Sequence, residues 1–360
     1  MSKQDNLTDF LTDVADAIRE KKGTTDLINP QDFSDEIRGI ESGGGGMPTY
    51  MFGSKMEDDG GRGSMAVTEI AITNTKEISD DAFANFLSLK KVVVPDDIIK
   101  YGYRCFNGCT SLSEIDFPQS IEYIEANSFN STKIDNDIVV PNLKRIGVNA
   151  LNGTNIKSFI AVNYTNNVQS GCMANCASLT KISIPHCIYI GAGAFENAAS
   201  LVDIGELNKV TTIEGSFKRA SLKGLKLNFP ALTKLNYSSF SFTKIHGIDN
   251  LGLIQNMGAD VSNTENGCFA FCDELAYAIM PSTLTRIGRN TFRACTSLQY
   301  VDFRQLASIP QLGHTEAFAE TTCQFVVPDN LYDDWITATN WNTYASRIVK
   351  ASEFVEPTTE

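Results

Sequence analysis

Between Phe83 and Phe318 one short unit recurs eleven times, and that recurrence limits the chain to very few folds. Large apolar anchors stand at Phe83, Phe106, Phe129, Leu151, Met173, Phe195, Phe217, Phe240, Phe269, Phe292 and Phe318. Successive anchors lie 22 or 23 residues apart, with steps of 29 before Phe269 and 26 before Phe318. The clearest copies are CFNGCTSLSEIDFP (105–118), CMANCASLTKISIP (172–185), CFAFCDELAYAIMP (268–281) and FRACTSLQYVDF (292–303). Five residues before the anchor an aliphatic returns (Ile78, Ile124, Ile146, Ile190, Ile287), and five or six after it comes Leu or Ile, as at Leu112, Ile134, Leu179 and Leu298. A unit this short cannot cover its own apolar columns, so each copy must stack on the next and share one continuous core.

A strand segment closes each unit. Ile115 and Phe117, Ile138 and Val140, Ile182 and Ile184, Val301 and Phe303 sit two apart and share a face, while Asp116, Val139, Ser183 and Asp302 point to the other. Proline at the strand exit (Pro95, Pro118, Pro141, Pro185, Pro230, Pro281, Pro328) falls where no backbone donor is needed. At one strand per coil, eleven coils predict a sheet on the order of 50 Å long.

The unit I-x-x-x-A-F-x-x-C-x-S-L-x-x-I-x-[IF]-P resembles the BspA-like, or Treponema pallidum type, leucine-rich repeats over residues 66–328. The resemblance implies a right-handed leucine-rich solenoid of α+β repeat class, used for adhesion or protein recognition and without catalytic apparatus. Units around Leu151, Phe217 and Phe240 lack parts of the framework, and residues 247–264 break the period, which leaves curvature and register open there.

The two ends depart from the repeat. Leu331, Trp335, Trp341, Tyr344 and Ile348 are spaced as on amphipathic helical turns, so residues 329–360 are expected to form a C-terminal helical cap and tail. Met65 to Ile72 alternates like the strand that starts the sheet, giving a solenoid over 65–328. At the N-terminus, Leu7, Phe10, Leu11, Val14 and Ile18 mark one helix face, closed by Lys21-Lys22-Gly23. A second helix follows Asn29-Pro30 with Phe33, Ile37 and Ile40 on one side. Residues 1–41 therefore read as a helical hairpin too small to stand alone, an anchor or oligomerisation module. Residues 42–64, with Gly43 to Gly46 and Gly60-Gly61, read as a flexible linker. No Lys-Ser or Lys-Thr follows these glycines, as a phosphate loop requires.

Over about residues 7–40, with the string LTDVADAIREKKGTTDLINPQDFSDEIRGI at 11–40, the chain resembles a short N-terminal module of bacteriophage tail and baseplate proteins. That resemblance implies a virion protein, assembled in the bacterial cytoplasm, whose N-terminus attaches to other virion proteins while the solenoid faces a host surface glycan or protein. A homo-oligomer follows from the anchor reading, and a trimer by analogy with phage fibres. The alternative is a bacterial surface or host-interaction adhesin of the BspA-like family, placed at the cell surface. Met1 to Phe10 lacks the apolar segment of a secretory signal, and no run of eighteen apolar residues suggests membrane insertion.

Chemistry-bearing residues are sparse. A net charge of −13 disfavours nucleic acid and anionic membranes as partners. Three C-x-x-x-C pairs, Cys105/Cys109, Cys172/Cys176 and Cys268/Cys272, could hold a metal in isolation, but Cys109, Cys176, Cys272 and Cys295 share a column with Thr132, Thr154, Ala198, Ala220, Thr243 and Thr321. A column that accepts Cys, Ala and Thr selects a small buried side chain, so no metal and no cofactor are expected. Only three histidines occur, His186, His246 and His314, without metal-binding spacing. A glycosidase would need two carboxylates facing across a cleft, whereas Glu114, Asp116 and Asp302 fall on the outward strand face; no enzyme activity is expected. That outward face is the expected ligand surface, with Glu114, Asp116, Lys181, Asp302 and the neighbouring aromatics Tyr277 and Tyr300 as contacts.

Overall fold

The computed structural model describes residues 67–258 and 267–357, and the strand path of 49–54. These residues wind into a parallel β-solenoid of about twelve turns with little helix. The helical hairpin expected over 1–41 and its apolar stripe lie outside the described residues, as does the insertion at 259–266.

Most coils contribute two strands and a tight turn carrying the anchor; at Val168 and Asp203 the strand is reduced to an isolated bridge. The longer strands form an interrupted parallel ribbon. Val67–Thr73, Lys91–Val93 and Glu114–Ile115 pair first, then Asp137–Val139, Ser158–Ile160 and Lys181–Ser183. The third stretch runs from Lys226–Asn228 through Gly247–Asn250, Tyr277–Ile279, Tyr300–Asp302 and Gln324–Val327 to Ile348–Lys350. Single contacts bridge the gaps: Asn136 Nδ2 donates to the Ile115 carbonyl at 3.2 Å, and Lys181 pairs with Asp203. Short strands form a second, interrupted ribbon on another side, from Glu77–Ile78 to Arg145–Ile146 and from Tyr189–Ile190 to Gln311–Leu312.

The anchors line the interior. All eleven are at most 1 % exposed. Phe83, Phe106 and Phe129 stack at 5.4 and 5.5 Å, and Phe195, Phe217, Phe240, Phe269, Phe292 and Phe318 continue at 5.1 to 5.5 Å with planes within 15°. Leu151 and Met173 fill the steps between the two runs. The register questioned at the 29-residue step is kept, because Phe240 and Phe269 stack at 5.5 Å like their neighbours.

The backbone two residues after each anchor is left-handed, from Asn85 and Gly108 through Asn175 and Asn197 to Phe271, Ala294 and Glu320. This conformation aims alternate N–H groups along the solenoid axis, so that Asp81, Phe83 and Asn85 donate to the carbonyls of Tyr103, Cys105 and Asn107 at 2.7 to 2.8 Å. Gly or Asn occupies this column in five of the first six coils because these residues adopt φ > 0 at low cost, with Ser131 as the sixth.

Two expectations at the ends are corrected. Within the stretch read as linker, Thr49–Ser54 forms a strand antiparallel to Val67–Thr73, where it pairs the otherwise open first edge of the sheet. At the other end the cap is not an amphipathic α-helix. Only Tyr332–Trp335 is α-helical; Asp329–Leu331 and Trp341–Arg347 are 3-10 helices, and Ile348 belongs to a strand parallel to Gln324–Val327. Asn340 at φ 66 separates the helical pieces, and the three-residue turn places Trp341 and Tyr344 on one side. The lid function holds: Trp335 and Trp341 are buried against Phe303, and Trp341 Nε1 donates to the Pro310 carbonyl at 2.8 Å.

Candidate functional site

The outward side of the longer strands carries two columns set by the register. The first runs Glu69, Lys91, Glu114, then Asp137, Ser158, Lys181, Asp203, then Lys226, Gly247, Tyr277, Tyr300, Gln324. It alternates in sign over two stretches, Glu69–Lys91–Glu114 and Lys181–Asp203–Lys226. Lys91 Nζ lies 3.6 Å from Glu114, Ser158 Oγ donates to Asp137 at 2.6 Å, and Lys181 Nζ lies 2.9 Å from Asp203. Lys181, then the backbone N–H of Gly205, hold the Asp203 carboxyl below its usual range. Exposed pairs of this kind contribute about 0–1 kcal/mol each, so they shape the potential of the face more than its stability.

The second column, two residues on, is partly apolar. It includes Ala71 and Val93, then Val139, Ile160 and Ser183, with Val93 46 % and Val139 43 % exposed. Asp116, two residues after Glu114, is exposed, and its backbone carbonyl accepts from the Tyr101 hydroxyl.

The expected contacts divide accordingly. Glu114, Asp116 and Lys181 are on the exposed face as expected. Tyr277, Tyr300 and Asp302 share that side of the sheet but are covered, which corrects the reading of exposed aromatics. Tyr277 and Tyr300 stack at 5.8 Å yet are only 9 % and 5 % exposed. Phe354 packs on Tyr300 at 5.0 Å, Tyr300 Oη donates to Glu356 at 2.6 Å, and Tyr277 Oη donates to Asp249 at 2.6 Å. Burial, then the partner carboxylates, push both phenols up. Asp302 is held by Arg304 through Nε at 2.9 Å and Nη2 at 2.6 Å. Gly247 makes room for this cluster, since a Cβ there would meet the Tyr277 ring at 2.4 Å. The sequence reading missed Phe354 and Glu356 because nothing periodic ties the tail to strands some fifty residues earlier.

A further aromatic pair also escaped the sequence reading. Phe242 and Phe271 occupy the left-handed column, stack at 4.5 Å and stay half-buried, with the Arg219 guanidinium 4.7 Å from the Phe242 ring. Their signal was the same 29-residue step that separates the anchors Phe240 and Phe269.

The cysteines lie inside. All nine are buried and free, and burial pushes the Cys109 and Cys268 thiols up to about 12 and Cys176 to about 11. Cys109, Cys176, Cys272 and Cys295 each donate to the carbonyl of the preceding coil's anchor at 3.0 to 3.1 Å. Thr132, Thr154, Thr243 and Thr321 donate to their own anchor's carbonyl at 2.7 to 3.0 Å, so hydroxyl and thiol serve the same buried acceptors. Among the described residues no group of three or more His, Cys, Asp or Glu is placed to hold a metal, and no helix is long and apolar enough to cross a membrane. Two open depressions, of about 510 and 540 Å³, lie beside Val93–Pro95 and beside Lys234–Asn236. The anchor contacts expected at Leu7, Phe10, Leu11, Val14, Ile18, Phe33 and Ile37 lie outside the described residues.

The sequence model of the BspA type leucine rich repeat region matches in six copies, over residues 62–178, 136–246 and 242–329. No curated protein matches the chain. Among solved structures, the chain is similar to a leucine-rich repeat protein from Bacteroides ovatus (15 % identity, TM-score 0.41, 83 % of this chain and 98 % of that one). It is similar also to a leucine rich cell surface protein from Faecalibacterium prausnitzii (19 %, TM-score 0.32, 67 % and 80 %). A third is the pneumococcal vaccine antigen PcpA (13 %, TM-score 0.37, 82 % and 81 %).

Proposed function

The chain belongs to the BspA-type leucine-rich-repeat family, and from that premise we propose that it is a non-catalytic recognition protein, an adhesin, that meets a macromolecular partner with the outward face of its longer strands. One observation carries the reading: from Glu69 to Lys226 one column of that face is charged or polar, with paired opposite charges at Lys91/Glu114 and Lys181/Asp203, and half-exposed Val93, Val139 and Ile160 run beside it. A face with polar and apolar rows in register offers a partner hydrogen bonds and apolar area together, as protein interfaces require. The exposed carboxylates serve contact rather than acid–base chemistry, and the partner is a host surface protein or glycan. The division of labour is an anchor over 1–41, a connecting stretch over 42–64 that contributes the edge strand Thr49–Ser54, the solenoid over 65–328 and a cap over 329–360.

The test is adhesion of the full chain to surface proteins and glycans of candidate cells, measured beside a Val93→Asp/Val139→Asp variant. Loss of binding at an unchanged melting temperature supports the face; binding that survives the double substitution refutes it.

A second reading rests on residues 7–40 alone. Their likeness to phage tail and baseplate modules favours a virion protein that uses the same face for host attachment, held in several copies, as a trimer, by its N-terminus. Mass spectrometry of purified virions against surface labelling of uninfected cells separates the two readings.

A further inference from the structure

We propose that the Tyr277–Tyr300 pair is a peptide seat that the chain's own C-terminal segment occupies, and that its partner is a peptide segment presenting an aromatic residue followed two positions later by a carboxylate. The proposal rests on the reading of this sheet face as the recognition surface.

The column of outward side chains changes character at one place. From Glu69 to Lys226 it is charged or polar; at Gly247, Tyr277 and Tyr300 it becomes a glycine and two stacked rings. Together with Ala276 and Val326 these tyrosines form a small apolar cluster separate from the main core, on the opposite side of the sheet. Core packing does not require it. Ile279, Val349, Ala351 and Phe354 pack around it.

The segment that covers the pair is thinly attached. After the strand Ile348–Lys350, Ala351 N donates to Val327 O at 2.9 Å and Ser352 N to Asp329 at 3.0 Å, which hold the chain's direction. Beyond these, contact with the tyrosines consists of the Phe354 ring against Tyr300 and the Glu356 carboxylate accepting from Tyr300 Oη. Val355 between them is 85 % exposed, and Phe354 itself is half-buried. Glu353 N and Phe354 N donate to Lys350 O at 3.0 and 3.1 Å, which shapes the turn locally. A segment whose hold on the tyrosines is one ring and one hydrogen bond belongs to the less stable part of a fold and opens without unfolding the rest.

The rim explains the preference for a carboxylate. Arg304, paired with Asp302, also feels Glu356, and Lys226 lies 5.7 Å from the Tyr277 ring centre. Arg304 and Lys226 offset the carboxylates of Asp302 and Asp249, so a further acidic group meets no net negative charge there and takes its hydrogen bond from a phenol hydroxyl. Asp249 already takes the Tyr277 hydroxyl, which leaves Tyr300 Oη as the donor to the incoming carboxylate. The resident tail thus displays the chemistry of the partner that would displace it.

The experiment uses the full chain carrying Phe354→Ala and Glu356→Gln, which vacates the seat, and a fluorescein-labelled peptide of residues 351–360, ASEFVEPTTE, read by anisotropy up to millimolar protein. The double variant should bind the peptide about tenfold or more tightly than the wild-type chain, whose tethered tail competes at millimolar effective concentration. The same peptide with Phe354→Ala should not bind, and Tyr300→Ala in the double variant should abolish binding. Thermal melts confirm that each variant is folded; if the double variant melts early, the single Glu356→Gln chain replaces it. No binding to a folded variant, or equal binding to variant and wild type, overturns the proposal. So does a cello-oligosaccharide that competes for the seat where the peptide fails, which would make it a glycan site. Adhesion loss in Val93→Asp/Val139→Asp is read independently, so the failure of either idea leaves the other standing.

Discussion

Replacing Phe240 by alanine should cut the solenoid into two units that unfold separately. Phe240 is fully buried between Phe217 at 5.3 Å and Phe269 at 5.5 Å, with Phe229 at 5.9 Å across the coil. Truncating a buried phenylalanine costs about 3–5 kcal/mol through lost transfer energy and the cavity left behind. Its two stacked partners lose about 0.5–1.5 kcal/mol each, part of which that range already contains. In a stack of coils that touch only their neighbours, this loss falls on the two interfaces beside coil 240, while the coils beyond keep their contacts. The chain supplies its own probe, because both tryptophans, Trp335 and Trp341, lie in the C-terminal cap. In urea, tryptophan fluorescence therefore follows the C-terminal end and far-ultraviolet circular dichroism follows the whole solenoid. The two curves should coincide in the wild type and separate in Phe240→Ala, with the dichroism transition becoming biphasic. A variant whose two curves still coincide, or whose loss is below about 1 kcal/mol, would refute the nearest-neighbour reasoning.

The thiols should resist Ellman's reagent in native buffer and react as a group on unfolding, since all nine are buried and the burial-raised groups are not thiolates near neutrality. Cys176→Thr and Cys176→Ala should each change the melting temperature by little, since Thr154 Oγ1 still donates to the Leu151 carbonyl when the thiol is removed; a loss above about 1.5 kcal/mol for the alanine variant would show the thiol bond to be required. Stability should fall on acidification. Asp203 is lowered by Lys181 and Gly205, Glu214 by Tyr189 and Lys234, and Glu316 by Arg289, so the unfolded chain takes up these protons first. Their contribution is present above the ordinary carboxylate range, about pH 4, and is lost as pH drops through the lowered folded values; a pH series of urea midpoints that stays flat below pH 4 would contradict it. Gly247→Ala should displace the Tyr277 ring, because the added Cβ would lie 2.4 Å from it, and should raise tyrosine accessibility to nitration near Tyr277.

Legibility differed between the core and the surface. The anchors, the aliphatic columns and the Cys/Thr/Ala position were readable because each must meet its own copy one coil away, which forces a fixed period onto the residues. The cap was placed correctly, yet its helix was misread: Trp341 and Tyr344 satisfy three-residue and four-residue turns equally, and Ile348 was needed by the sheet. The strand at Thr49–Ser54 was hidden among glycines, since its role is to pair one edge and carries no repeat.

Residue spacing alone was enough to require stacked coils with a shared interior, since a 22- or 23-residue unit has nothing else on which to bury Phe106, Met173 or Phe292. Which outward side chains remain open was decided only in three dimensions. Tyr277 and Tyr300 occupy the same register positions as half-buried Lys91 and exposed Glu114, and what covers them is a segment that returns from Phe354 and Glu356. Periodicity records contacts between neighbouring copies of one unit, whereas a terminal segment folding back over a distant coil makes its contacts once and leaves no repeat to read.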